Sequence, residues 1–153
     1  MNPIPPTAEL FVSYSRGDEP AAARVALCLV DAGYEVWRDD QLPAHRAYSD
    51  VIAERLQHAK AVIVLWSAES ARSQWVRAEA DAARIAGTLI QATLDGSLPP
   101  MPFNQIQCAD LAHWSGDAAT PGWRKLLDSV AALAPANAGR AAPRAVRGKL
   151  SVC

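Results

Sequence analysis

The stretch Ala61-Val62-Ile63-Val64-Leu65-Trp66 is a continuous apolar run near the middle of the chain. A run of this length and composition is typical of a strand that is buried on both faces, and such strands belong to parallel sheets covered by helices on both sides. The run therefore predicts an α/β protein, and the flanking segments can be placed relative to it.

Segments with strand and helix character alternate on both sides of this run. The predicted strands cover residues 10–14, 34–37, 61–66, 88–93 and 105–111. The predicted helices run from a capping Asp18 to Gly33, over 48–59 and 73–86, and through Trp123 to Leu133, with Ala22, Val25, Ala26, Leu29 and Val30 forming the apolar face of the first. This order predicts right-handed crossovers and a flavodoxin-like, doubly wound parallel sheet of about five strands with helices on both faces.

The chain of 153 residues is the size of one domain. Residues 1–8 are a proline-containing N-terminal lead, residues 9–134 form the domain, and residues 135–153 are an Ala/Pro/Arg-rich linker or tail without periodicity. Because the chain stops soon after the tail begins, we expect a longer polypeptide, with a downstream sensor domain as one candidate for the remainder. A frayed terminus is the alternative.

Composition limits the classes of partner. Half of the residues are hydrophobic and a fifth are charged, as in soluble globular proteins. Outside the tail, 11 basic side chains face 16 acidic ones, so duplex nucleic acid has no broad electrostatic footprint, and no apolar run has the length of a membrane span. The three cysteines show no metal-ligand spacing, which predicts a reducing, cytoplasmic setting and no bound metal.

The helix over residues 73–86 carries one carboxylate within its apolar stripe. At about 100° per residue, Glu79 falls in the apolar arc and Trp75 lies one turn before it. A buried carboxylate must be partnered, neutralised or facing a cavity. Either these two side chains form one wall of a small-molecule pocket, or Glu79 lies nearer the edge of the stripe and pairs with an arginine elsewhere. The predicted apolar arc contains Trp75, Ala78, Ala82, Ala83, Ile85 and Ala86.

Polar side chains converge where the predicted strands end. In an open parallel sheet, ligands bind at the carboxyl ends of the strands, beside the place where the strand order reverses. Tyr14 and Arg16 follow the first strand, Asp39 the second and Ser67 the third. We therefore expect a ligand site at this edge, with Trp75 and Glu79 just beyond the third strand.

Four motifs at these positions resemble a TIR (Toll/interleukin receptor) domain, and within that family its bacterial, NAD-consuming branch. They are Leu10-Phe11-Val12-Ser13-Tyr14-Ser15-Arg16, Trp37-Arg38-Asp39-Asp40-Gln41-Leu42-Pro43, a serine-rich entry to a WxxxE helix at residues 70–79, and Leu111-Ala112-His113-Trp114. Their order and spacing carry the resemblance, which runs from about Glu9 to Leu133. The second motif departs from the family because Pro43 is followed by Ala44 where glycine is common, so its assembly contacts are expected to differ.

The resemblance assigns expected roles to single residues. It implies that Glu79 is the catalytic glutamate of NAD-cleaving members and that Trp75 is the tryptophan preceding it. It implies that Tyr14 and Arg16 line the dinucleotide site and that Tyr48 is the aromatic residue after the long loop. NAD would be a substrate, and no cofactor is expected. The complete set of expected ligand contacts is Tyr14, Arg16, Asp39, Tyr48, Ser67 and Trp75, of which Asp39 is equally suited to capping a turn.

Three functions follow as hypotheses. The first is an NAD+ glycohydrolase, with ADP-ribosyl cyclase activity as an extension, that self-assembles into a homo-oligomer or filament and acts in bacterial defence. The second is a non-catalytic module that recruits other TIR domains through the loop of residues 38–47. The third is an N-glycosidase similar to nucleoside deoxyribosyltransferases, which share the fold and also use a carboxylate against a ribosyl carbon.

Overall fold

A computed structural model describes residues 9–38, 53–54 and 56–135 of the chain. Its sheet has five strands in the order β2-β1-β3-β4-β5, and every neighbouring pair is parallel. The flavodoxin-like architecture predicted from the sequence is therefore confirmed, and the central apolar run is β3 with the predicted bounds. The strands are β1 (Glu9–Ser13), β2 (Glu35–Arg38), β3 (Ala61–Trp66), β4 (Leu89–Thr93) and β5 (Cys108–Asp110).

Three helices with defined bounds pack on this sheet: α1 (Glu19–Asp31), α2 (Gln74–Ala86) and α3 (Pro121–Leu133). The predicted helix over 48–59 lies partly outside the described residues, and residues 53–54 and 56–58 are helical. Gly87 ends α2 in the left-handed conformation, with φ 80°, where a side chain would be strained. Among the described residues, no helix has both the length and the apolar character needed to span a membrane.

Side chains along each strand point alternately to the two faces of the sheet, and this divides the core into two layers. Side chains such as Val12 and Ile63 point toward α1 and α3, and side chains such as Phe11 and Val64 point toward α2. We call these the α1/α3 layer and the α2 layer. The position of a strand residue in this alternation therefore decides which helices its side chain meets.

The buried face of α1 differs from the sequence prediction at one residue. Val30, placed on the apolar face, is 53% exposed, whereas Cys28 is buried with the remaining predicted core residues. Val30 and Leu29 are adjacent, so about 100° separates their directions and only one of them lies over the centre of the layer.

Gln91 is the buried polar residue that connects the α2 layer to the segment before β5. It lies in β4, is 2% exposed, and accepts a hydrogen bond of 2.9 Å from the indole nitrogen of Trp66. Its amide nitrogen lies 3.2–3.3 Å from the backbone carbonyl oxygens of Phe103, Ile106 and Gln107. One side chain thus fastens the segment before β5 to the centre of the sheet.

Replacement of Gln91 by leucine keeps the volume and removes every one of these hydrogen bonds. We expect Gln91→Leu to lower the free energy of unfolding by about 3 kcal/mol, because a buried indole N–H and buried carbonyls lose their partners. Urea denaturation followed by circular dichroism measures this loss. The control Gln105→Leu changes an exposed glutamine of the same segment and should cost less than about 0.5 kcal/mol; equal losses in the two variants would contradict the assignment.

Candidate active site

The strand order reverses between β1 and β3, because the chain leaves β1 toward β2 on one side and returns to β3 on the other. This is the place where ligands bind in open α/β sheets. Most of the buried polar side chains in the described part of the chain gather at this edge. They are Ser13 and Ser15 at the end of β1, Ser67 and Ser70 after β3, Thr93 at the end of β4, and Glu79 in α2.

Glu79 is positioned by α2. The hydroxyl of Ser73 accepts the backbone N–H of Val76 at 3.2 Å and caps the helix. The packing of Val76, Ala80 and Ala83 against the sheet sets which face of the helix is buried, and this turns Glu79 toward the sheet as well. The Glu79 side chain is only 2% exposed.

Ser13 supplies a partner for this carboxylate. Its hydroxyl donates a hydrogen bond of 2.5 Å to Oε1 of Glu79, although the two residues are 66 positions apart. This distance is in the range of charge-assisted O–H···O⁻ bonds. The sequence analysis missed Ser13 as a site residue; the available signal was its place two residues after Phe11, on the side of β1 that faces the α2 layer.

The predicted apolar face of α2 is wrong, although Glu79 is buried as expected. The residues that face the sheet are Val76, Glu79, Ala80 and Ala83, an arc rotated by about a quarter turn from the predicted one. Trp75 is 46% exposed and Ile85 is 74% exposed. Alanines occur all around this helix, so the predicted direction depended on two large side chains that point away from the core.

Asp18 connects the loops that follow β1 and β3. Its Oδ2 accepts hydrogen bonds from the hydroxyls of Ser15 at 2.8 Å and Ser67 at 2.5 Å. The sequence analysis placed Asp18 as the cap of α1, but its side chain makes no capping hydrogen bond because it serves these two serines. The Ser67 hydroxyl therefore holds two loops together, and its expected ligand contact stays a prediction.

Two further carboxylates tie the same edge together. Glu69 accepts the backbone N–H of Gly17 at 3.3 Å, and a Cβ at this glycine would collide with that carboxylate. Asp95 accepts the backbone N–H of Ala68 at 2.9 Å, which joins the loops after β3 and β4. The Ala68 hydrogen bond is the main reason why the pKa of the Asp95 carboxyl is lowered from its ordinary value.

The other predicted contacts are spread around this edge. Tyr14 is 7% exposed and packs in the α1/α3 layer, across the sheet from α2, so it is a core residue rather than a neighbour of Glu79. Arg16 is exposed in a single 3-10 turn after β1, and Trp75 is half exposed one turn before Glu79. Asp39 and Tyr48 lie outside the described residues. The contacts of all five with a ligand stay predictions.

A flavodoxin-like sheet with a buried carboxylate at its switch point defines an α/β domain with a candidate ligand site. Sequence comparison gives the family of this domain. The family profile described as the TIR domain matches residues 10–127. This match covers most of the chain, so the chain belongs to the TIR domain family. Comparison with curated proteins gives no significant match.

Solved structures agree with this assignment at the level of the fold. The TIR domain of the Toll-related receptor TRR-2 from Hydra magnipapillata superposes with a TM-score of 0.69 at 14% identity, over 79% of this chain and 96% of that one. A TIR-STING receptor from C. gigas in complex with 2',3'-cGAMP gives 0.63 at 20% identity, over 89% and 42%. The TIR domains of the activated Roq1 resistosome recognizing the pathogen effector XopQ give 0.52 at 17% identity, over 59% of each chain. The chain thus spans 42% and 59% of the latter two.

Proposed function

We propose that this TIR domain is an NAD+ glycohydrolase that cleaves the bond between nicotinamide and ribose, with Glu79 as the catalytic residue. The observation that supports this proposal most strongly is the carboxylate of Glu79, which is 2% exposed, lies at the switch point of the sheet and accepts the Ser13 hydroxyl. The family match favours a dinucleotide over the nucleosides of deoxyribosyltransferases.

The reaction needs little more than one carboxylate. In NAD+ the nicotinamide is a pyridinium cation, so it leaves as a neutral base without a general acid. Positive charge develops on the ribose as in glycoside hydrolysis, where a carboxylate stabilises the oxocarbenium-like centre. A carboxylate already oriented in a site of low dielectric constant supplies this stabilisation with little reorganisation. Capture of the ribosyl centre by water, with loss of a proton, gives ADP-ribose, and capture by a nitrogen of the adenine in the same ADP-ribosyl group gives the cyclic form.

Neighbouring side chains suit the remainder of the dinucleotide. Trp75 offers an exposed indole face one turn before Glu79, which fits stacking on a nicotinamide or adenine ring. Arg16, exposed after β1, fits a phosphate contact. Asp39 belongs to the proposal as a ribose contact because it follows the second predicted strand, and Tyr48 belongs to it as a ring contact by resemblance. The cytoplasm, where NAD+ is abundant, is the proposed setting.

Self-assembly is the proposed trigger of NAD+ cleavage. Because Glu79 is buried in the single chain, the ribose reaches it only after the site opens, and contact with a second copy is the step that we propose for this. The surface of α2 opposite Arg77 carries an exposed apolar stripe, the kind of patch that marks a protein interface. Since the same helix carries Glu79, contact at the stripe is proposed to shift this helix and so expose the carboxylate. The stripe contains Ala78, Ala82, Ile85 and Ala86.

A second copy of this chain is the proposed partner at the stripe, in a homo-oligomer or filament acting in bacterial defence. The activated Roq1 resistosome contains TIR domains of the same fold, which supports assembly as a property to test here. The stripe equally favours the second candidate, a non-catalytic TIR–TIR interaction module. The two candidates differ in whether assembled protein consumes NAD+.

Substitution of Glu79 separates these candidates. We expect Glu79→Gln, which keeps the volume and removes the charge, to slow nicotinamide release by about a hundredfold or more, because one preorganised electrostatic group is lost. Release is followed by chromatography, with the protein at high concentration or clustered through a fused tag. The control Asp81→Asn removes an exposed charge of the same helix and should match the parent.

Two results would contradict the enzymatic assignment. Equal rates for Glu79→Gln and the parent would show that the carboxylate has no electrostatic role in cleavage. A clustered parent that releases no nicotinamide would leave the interaction module as the function of the domain.

Substitution of Ile85 tests the stripe. Ile85→Lys places a charge in an exposed apolar patch, so we expect the folded domain to keep its thermal midpoint within a few degrees while self-association and NAD+ cleavage fall together. Analytical ultracentrifugation over a concentration series measures the association. Leu27→Lys, at a 66% exposed leucine of α1, is the matched control. An association constant unchanged in Ile85→Lys would exclude the stripe as the interface.

A further inference from the structure

We propose that Ser13 is a positioning residue for NAD+ cleavage, whose hydroxyl holds the Glu79 carboxylate in the orientation that the ribose requires. This inference rests on the proposed function, and it adds a residue that the sequence analysis did not select. Ser13 acts through Glu79 and is not proposed to touch the substrate.

The surroundings of Ser13 make it a rigid donor. It is fully buried at the end of β1, where its backbone is paired with Val64 of the central strand. Its own side chain has a single rotatable bond to the hydroxyl oxygen, whereas the glutamate has three bonds to its carboxylate. A hydrogen bond of 2.5 Å from such a fixed donor restricts the carboxylate far more than the reverse.

The pair is difficult to explain by stability alone. Replacement of a buried polar pair by apolar side chains of similar shape is often neutral or stabilising, so folding does not require a carboxylate and a hydroxyl at this place. Apolar residues such as Phe11, Val64 and Ala80 form the cluster on this side of the sheet. A retained buried carboxylate with a fixed donor is the arrangement of a preorganised site.

The serines of the neighbouring loops have a different role. Ser15 and Ser67 donate to Asp18, and Ser70 donates to the backbone carbonyl of Leu65 at 2.9 Å. These bonds hold loops to each other or to the end of a strand. Ser13 instead reaches a helix carboxylate, so its removal should affect chemistry where removal of a loop serine affects folding.

A series of substitutions at Ser13 tests the inference with the clustered full chain and NAD+. Threonine keeps the hydroxyl, cysteine keeps the connectivity with a larger atom and a weak donor, and alanine removes the donor. We expect kcat of Ser13→Ala to fall about 10- to 100-fold, as when outer partners of reactive groups are removed, with KM within about twofold of the parent. Ser13→Cys should be intermediate, and Ser13→Thr should retain most of the parent's kcat.

Ser70→Ala is the structural control, since it also deletes a fully buried hydroxyl at this edge but leaves Glu79 untouched. The unfolding midpoint in urea is measured for every variant. If kcat follows the donor strength across the Ser13 series and does not follow the midpoints, the positioning role is supported.

Two failures are distinguishable. An active parent with Ser13→Ala at the same kcat, or with kcat losses that track the unfolding midpoints of Ser13 and Ser70 variants alike, overturns the positioning role and leaves the glycohydrolase in place. A clustered parent that releases no nicotinamide overturns the proposed function, and the positioning role falls with it.

Discussion

The hydrogen bond between the Ser13 hydroxyl and the Glu79 carboxylate depends on every level of the fold. It joins the end of β1 to the second turn of α2, so it requires the parallel sheet that places β1 beside β3 and the packing of Val76, Ala80 and Ala83 that turns this face of the helix toward the sheet. A carboxylate buried among apolar side chains is costly unless it is partnered, and the serine supplies a partner at charge-assisted distance.

The apolar packing that stabilises the fold and the polar contacts that connect its loops lie in different parts of the domain. Two apolar layers on the faces of the sheet supply most of the burial, while Asp18, Glu69 and Asp95 link consecutive loops at the carboxyl ends of the strands. Loops that are tied in this way present the site from a rigid rim, as preorganised electrostatic catalysis requires. Glu79 itself belongs to a helix, and the exposed stripe on the same helix is the surface through which we propose that assembly acts on it.

The sequence predicted the features that local patterns determine. The bounds of β3 follow from a continuous apolar run, and the helix predicted over residues 73–86 differs from α2 by one residue. Glu79 is buried in this helix, as expected for a carboxylate within an apolar arc. The buried face of α2 was wrong because alanines on all sides leave its direction to Trp75 and Ile85. The bonds from Ser13 to Glu79 and from Ser67 to Asp18 escaped prediction because they join residues 66 and 49 positions apart, beyond the reach of any local pattern.

In the proposed enzyme, one oxygen of the Glu79 carboxylate contacts the ribose of a bound dinucleotide while the Ser13 hydroxyl holds the other oxygen. A crystal structure of the assembled domain with a carbocyclic, uncleavable NAD+ analogue tests this most directly. We expect a carboxylate oxygen of Glu79 within about 3.2 Å of a hydroxyl on the ring that carries nicotinamide, with the Ser13 hydrogen bond retained. An analogue bound at another edge, with Glu79 still sealed in the α2 layer, would contradict this expectation.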